Sequence, residues 1–152
     1  QVMSSDSSTV YVRFRVNIPV LYDYMEEQAA SATDEEEKAK YEENLEIMDL
    51  GKPIINVWVF GDFNSWATAS SSTPNELVAS SKNSDTYYAK TYVPIYHGGE
   101  AGYHRYKFVI NYGTYYVDGA EKDAYVYVED PLNDYKTDDG FNGYNSEFYY
   151  AP

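Results

Sequence analysis

Trp66 closes the segment Val57–Trp66, VWVFGDFNSW, in which an alternating run breaks at Gly61 and a turn with Phe63 and Asn64 follows. A large aromatic just beyond a strand offers a flat apolar face to solvent. A hexose ring is its complement: C–H groups band its face and hydroxyls surround its rim, so an aromatic platform with a few rim donors and acceptors binds it. Lys107 is a candidate donor, because in Tyr106–Lys107–Phe108 it points out of its strand if its neighbours point in. Other chemistries find less support. His97 and His104 have no nucleophile at a recognisable spacing, and loop and strand surface is their expected fate. The absence of cysteine removes disulfides and thiolate metal sites. Asp134, Asp138 and Asp139 lack the alternation of a calcium loop, and Asp-Asp-Gly reads first as a turn. Carboxylates are numerous, yet a glycoside hydrolase needs two that flank a bound sugar, which a sequence does not display. No catalytic residue, cofactor or metal is assigned, and a non-enzyme is expected.

Size and charge narrow the partners. With 152 residues, 43% hydrophobic and 24% charged, the chain suits one globular domain over 1–152. Eleven basic against twenty-five acidic side chains leave a net charge of −14, which repels a phosphate backbone, so nucleic acid is excluded as the default partner. The longest apolar runs are a few residues, far short of the roughly twenty that span a bilayer, and no membrane partner is expected. No signal segment opens the chain at Gln1. Nineteen tyrosines, six phenylalanines and two tryptophans make 18% of the residues. A tyrosine-rich sheet accounts for most of these, and a binding surface needs only three or four.

The elements that must position such residues are mainly strands. Thr9–Ile18 alternates, with Val10, Val12, Phe14, Val16 and Ile18 on one side, which predicts a half-buried strand. Ile55, Val57 and Val59 repeat the pattern and turn Trp58 and Phe60 to the opposite face. Further strands are expected near 76–79, 86–93, 103–110, 114–117, 124–128 and 147–150, separated by turn-forming clusters. Many short strands in a chain of this size predict an all-β sandwich. Asp23–Leu50 departs from the pattern: it has no glycine or proline and carries eleven acids against two lysines. Thr33 with Glu36 forms a capping-box spacing, and Tyr41, Leu45 and Met48 form a helical stripe closed by Gly51. An amphipathic, acidic helix inserted between the first two strands is expected, its stripe docking on the sandwich and covering Trp58.

Three strings in order, VWVFGDFNSW, Tyr106–Phe108 and DPLNDYKTDDGFNGYNSEFYY from Asp130 to Tyr150, carry a resemblance. Together they resemble the glycogen- and starch-binding modules of carbohydrate-binding family 48, which include the glycogen-binding domain of the AMP-activated kinase β subunit. The opening strand is more similar to the related family 20 starch-binding domains. The similarity spans about Thr9 to Tyr150, interrupted by the acidic segment and by extra residues around 119–127.

This resemblance implies an immunoglobulin-like β-sandwich that binds α-glucans such as starch, glycogen or maltooligosaccharides, outside the cell or at its surface, with tandem modules or a parent enzyme in the same chain. It implies that Trp66 stacks on sugar, that Lys107 contacts sugar hydroxyls and that Asn145 in GYNSEF hydrogen-bonds sugar. The family's second platform is an aromatic followed three residues later by aspartate. Both Tyr115 with Asp118 and Tyr127 with Asp130 satisfy that spacing; Tyr115 lies at the expected distance from Lys107, while only Asp130 precedes a proline. Either tyrosine offers less stacking area than the family's tryptophan. The rival reading is a structural or protein-interaction module whose contact surface is the acidic helix, and exposure of Trp66 separates the two.

Overall fold

The alternation that begins at Thr9 runs through two strands rather than one. The computed structural model describes residues 2–5, 9–64, 66, 76–82, 85–89, 93–96, 103–141 and 143–149. Their order is β1 (Val2–Ser5), β2 (Thr9–Val12), β3 (Arg15–Asn17), α1 (Ile18–Ser31), α2 (Glu35–Asp49), β4 (Asn56–Gly61), a 3-10 turn (Asp62–Asn64), β5 (Glu76–Ala79), β6 (Thr86–Ala89), β7 (Val93–Tyr96), β8 (Tyr103–Val117), β9 (Ala120–Val128), β10 (Lys136–Asp138) and β11 (Tyr144–Tyr149). The protein is thus mainly antiparallel β with two helices. Ser70–Thr73, His97 and Tyr150 lie outside the described residues, and His104, expected at the surface, is buried beside Asp62.

One sheet holds β1-β2-β7 and the other runs β10-β11-β8-β4-β5-β6-β3, with β9 also paired to β8. Because β2 belongs to the small sheet and β3 to the large one, the chain changes sheets at Arg13 and Phe14, which splits the expected first strand. Alternation survives the crossing, and Val12, Phe14 and Val16 are all buried.

Strand β8 organises the large sheet. Its 106–111 segment pairs with β4, while along its other edge 103–106 pairs with β11 and 108–117 with β9. The two strands expected at 103–110 and 114–117 are therefore one. Asp118 and Gly119, both at positive φ, make the tight turn that doubles β8 back as β9. Register shifts between Asn111 and Thr114, where three steps on β8 face two on β9. That is a bulge, and it exchanges the faces of every later side chain.

Before the bulge the two faces separate cleanly. Val57, Val59, Phe108, Ile110, Val126 and Val128 join the main hydrophobic core, whereas Trp58, Phe60, Lys107 and Tyr127 alternate to the other side. Ile55, expected to share the inward face, precedes β4 and is exposed.

The acidic segment is a hairpin of two helices between β3 and β4, not one helix over 23–50. Asn17 caps α1 by accepting the Val20 N–H at 3.0 Å, and Pro19 suits the first turn. The break falls at 32–34, where Asp34 accepts the Glu37 N–H at 2.9 Å. The cap is therefore one residue later than the expected Thr33–Glu36 box. Leu21, Met25 and Ala29 of α1 and Tyr41 and Ile47 of α2 enter the core, with Leu45 and Met48 packed beside them. Since that core holds Val57 and Val59, the stripe does not cover Trp58, which turns the other way and meets Tyr125 edge-on at 5.8 Å. Asn44 of α2 donates to the Tyr127 carbonyl at 3.1 Å, and the Lys52 ammonium donates to the Thr114 carbonyl. These bonds occupy edge groups that would otherwise be free to recruit another strand.

Candidate functional site

Gly61 makes the turn after β4 feasible. A Cβ there would overlap the Arg105 carbonyl oxygen and come within 2.6 Å of the Phe63 ring. The 3-10 turn is pinned by Asp62, whose carboxylate accepts the Arg105 N–H at 3.0 Å. The Trp66 N–H then donates to the Gly61 carbonyl at 2.8 Å, and Trp66 takes φ +57°. A left-handed conformation costs a non-glycine residue about 1–2 kcal/mol, and here it holds an indole that is 37% exposed.

Phe60 supports that indole from below. Its ring meets Trp66 at 5.5 Å and Tyr127 at 6.1 Å, both steeply tilted, so it lies between two rings that reach solvent. Tyr127 is 43% exposed. Burial and the neighbouring Tyr125 and Asp123 raise its phenol above the usual range.

Lys107, cross-strand from Phe60, has a more specific task than the expected free rim donor. Its Nζ lies 2.5 Å from Asp139 Oδ2, and the side chains are only 12% and 8% exposed. The other Asp139 oxygen accepts the backbone N–H groups of Phe141 at 2.6 Å and Gly143 at 3.1 Å. Burial works to raise the Asp139 pKa, yet the Lys107 hydrogen bond and these N–H groups hold it below the ordinary carboxylate value. Lys107 therefore anchors the 139–143 loop. That loop presents Phe141, 77% exposed. Asn145, the second residue of β11, shares the face of Lys107 and is half-buried.

Trp66, Tyr127, Lys107 and Asn145 line one cleft of about 820 Å³, together with Phe141. Its far wall is α2, through Lys40, Glu43 and Asn44. Tyr115 is elsewhere. It packs half-buried against the core, and burial followed by Glu43 and Glu46 of α2 raises its phenol. The bulge explains the difference: Tyr115 has the parity of Lys107 in sequence but follows the face exchange. The two aspartates of the platform pattern are structural. Asp118 forms the hairpin turn, and Asp130 accepts the Tyr106 hydroxyl at 2.8 Å and the Leu132 N–H at 3.0 Å.

Phe60 and Phe141 were missed by sequence reasoning. Phe141 had a readable signal, an aromatic in the glycine-flanked turn Gly140–Gly143, the same signal that singled out Trp66.

At the inner end of the cleft, buried Glu129 accepts the hydroxyls of Tyr24 at 2.8 Å and Tyr41 at 2.5 Å, with Lys136 Nζ at 3.8 Å. Burial and this carboxylate push both phenols well above their usual range. The ammonium of Lys136 also sits over the Tyr144 ring at 4.3 Å, and the Tyr144 hydroxyl donates to Glu37 at 3.0 Å. Among the described residues no group of three or more histidines and carboxylates is arranged to hold a metal, and no helix is long and apolar enough to cross a membrane.

Compared with protein-family models, with curated proteins and with solved structures, the chain finds no match.

Proposed function

We propose that this protein is a non-catalytic carbohydrate-binding module that holds α-glucans in the cleft between α2 and the sheet, on an immunoglobulin-like sandwich into which the acidic helical hairpin is inserted. One observation carries the reading. Trp66, Tyr127, Lys107 and Asn145 come from four separate strands or turns, and they line a single cleft with a second exposed aromatic, Phe141. Trp66 and Tyr127 stack on sugar faces, Phe60 stiffens them, and Lys107 and Asn145 supply rim hydrogen bonds. The motif resemblance to carbohydrate-binding family 48 supports the same ligand class and an extracellular or cell-surface setting.

The exposure of Trp66 favours this reading over a purely structural module, in which that ring would be core. Because sugar hydroxyls exchange good water contacts for protein contacts, affinity is expected to be modest, about micromolar to millimolar, or roughly −8 to −4 kcal/mol. Tandem copies or a parent enzyme in the same chain would convert this into retention on a granule.

The deciding experiment is a pull-down on insoluble starch with cellulose and chitin as controls, followed by titration with maltooligosaccharides. Retention on starch alone is expected. Equal or better retention on cellulose sinks the ligand assignment.

A further inference from the structure

The cleft occupies only one end of its sheet face. On β8 the residues that share the face of Lys107 are Arg105 and then Tyr103; on β11 the residues beyond Asn145 are Glu147 and then Tyr149. The strands are in register, with Glu147 opposite Arg105 and Tyr149 opposite Tyr103. Alternation is strict here, since Tyr106 and Phe148 meet on the reverse side at 5.9 Å. Next to the cleft, then, comes an ion pair, Arg105 Nε to Glu147 Oε2 at 2.9 Å. Beyond it comes an aromatic pair, Tyr103 and Tyr149, with ring centroids 5.0 Å apart.

These two tyrosines differ from six others in this chain. Tyr22, Tyr24, Tyr41, Tyr106, Tyr116 and Tyr144 each donate a hydroxyl to a carboxylate. Tyr103 and Tyr149 make no hydroxyl hydrogen bond among the described residues, and they are 47% and 58% exposed. Tyr127, the platform in the cleft, shares both properties.

We propose that Tyr103 and Tyr149 form a second sugar platform, which receives a more distant part of the glucan chain held in the cleft; this rests on the glucan-binding reading above. Four residues along β8 separate Tyr103 from Lys107, roughly 14 Å at about 3.4 Å per residue. A chain of several sugars bridges that distance, whereas a short oligosaccharide seated on Trp66 and Tyr127 does not. The Arg105–Glu147 pair lies between the platforms, where guanidinium N–H groups and a carboxylate meet sugar hydroxyls. The platform selects for chain length and leaves the class of sugar unchanged.

The test is calorimetric titration of the full chain, its Tyr103→Ala/Tyr149→Ala variant and its Trp66→Ala variant with maltotriose and with a long soluble maltodextrin. The parent is expected to bind the maltodextrin more tightly than maltotriose. The double variant should lose about threefold to tenfold for the maltodextrin, the worth of one stacked aromatic contact, and little for maltotriose. Equal parent affinity for the two ligands overturns the proposal without any substitution. So does a double variant that weakens neither ligand, or both equally, while Trp66→Ala weakens both. If Trp66→Ala weakens neither, the cleft is not the sugar site and the extension falls with it.

Discussion

Tyrosine does opposite work at the inner end and at the rim of the cleft. At the helix–sheet junction Tyr24 and Tyr41 aim their hydroxyls at one buried carboxylate, Glu129, and Tyr144 reaches Glu37. There the ring fills space and the polar tip is satisfied by protein. At the cleft rim Tyr127 keeps its ring in solvent, with no hydroxyl hydrogen bond among the described residues and Phe60 as support. The first arrangement ties the α-hairpin to the sheet; the second leaves the ring partly exposed in the cleft. What differs is whether a carboxylate lies within hydrogen-bond reach of the hydroxyl.

The sharpest break of this comparison is at Glu129. Alanine there strands two phenol donors and removes the counter-charge of Lys136. Buried groups left without partners are costly, so Glu129→Ala is expected to lose about 2–5 kcal/mol of stability in urea unfolding. Starch affinity, measured well below the unfolding midpoint, should fall less than it does for a rim variant. A protein of unchanged stability would show that the junction does not depend on this network.

At the rim the order of effects reverses. Trp66→Ala is expected to weaken starch binding at least about tenfold, or roughly 1.4 kcal/mol, with little change in Tm. A core tryptophan would instead cost about 3–5 kcal/mol of stability. The left-handed backbone sharpens the point: Trp66→Gly removes the same ring yet accepts φ +57°, so it should be more stable than Trp66→Ala by up to about 1 kcal/mol. A Trp66→Gly protein that is clearly the less stable would mean the turn is not strained.

Much of this was legible locally. Alternation in 57–60 separated Val57 and Val59 from Trp58 and Phe60, and a glycine turn followed by Trp66 marked a presented aromatic. What the sequence hid was long-range. Nothing near Arg13 signals that the chain changes sheets, and a helix break that uses no glycine or proline looks like continuous helix. The pairing of Lys107 with Asp139 depends on a loop 32 residues away. The second platform was ambiguous for the same reason. Spacing favoured Tyr115, but the bulge between Asn111 and Thr114 turns it toward α2 and leaves Tyr127 on the cleft face.

That difference separates the two tyrosines experimentally. Tyr127→Ala is expected to weaken glucan binding about threefold to tenfold, slightly less than loss of the larger indole. Tyr115→Ala should leave affinity unchanged and lower stability by about 1–2 kcal/mol, as expected for a half-buried ring. Isothermal titration and thermal melts of both variants make the measurement, and the opposite pattern would return the platform to Tyr115.

The smallest effect concerns the loop that presents Phe141. Asp139 has a folded pKa below its unfolded value of about 3.9. Its contribution is therefore fully present above that value and is lost as pH falls through the lower folded value. Asp139→Asn keeps an acceptor for the loop N–H groups but drops the charge opposite Lys107. Glucan affinity should fall about twofold to fivefold, or roughly 0.4–1 kcal/mol, because the loop remains closed by its backbone bonds while Phe141 is held less firmly. Other carboxylates titrate in the same acid range, so the informative quantity is the affinity difference between parent and Asp139→Asn as pH is lowered. That difference should stay level from neutral pH to about 4 and shrink only below it, in line with a depressed carboxylate. If it shrinks well above pH 4, the pair with Lys107 does not hold the proton off Asp139, and the loop owes its position to the backbone bonds alone.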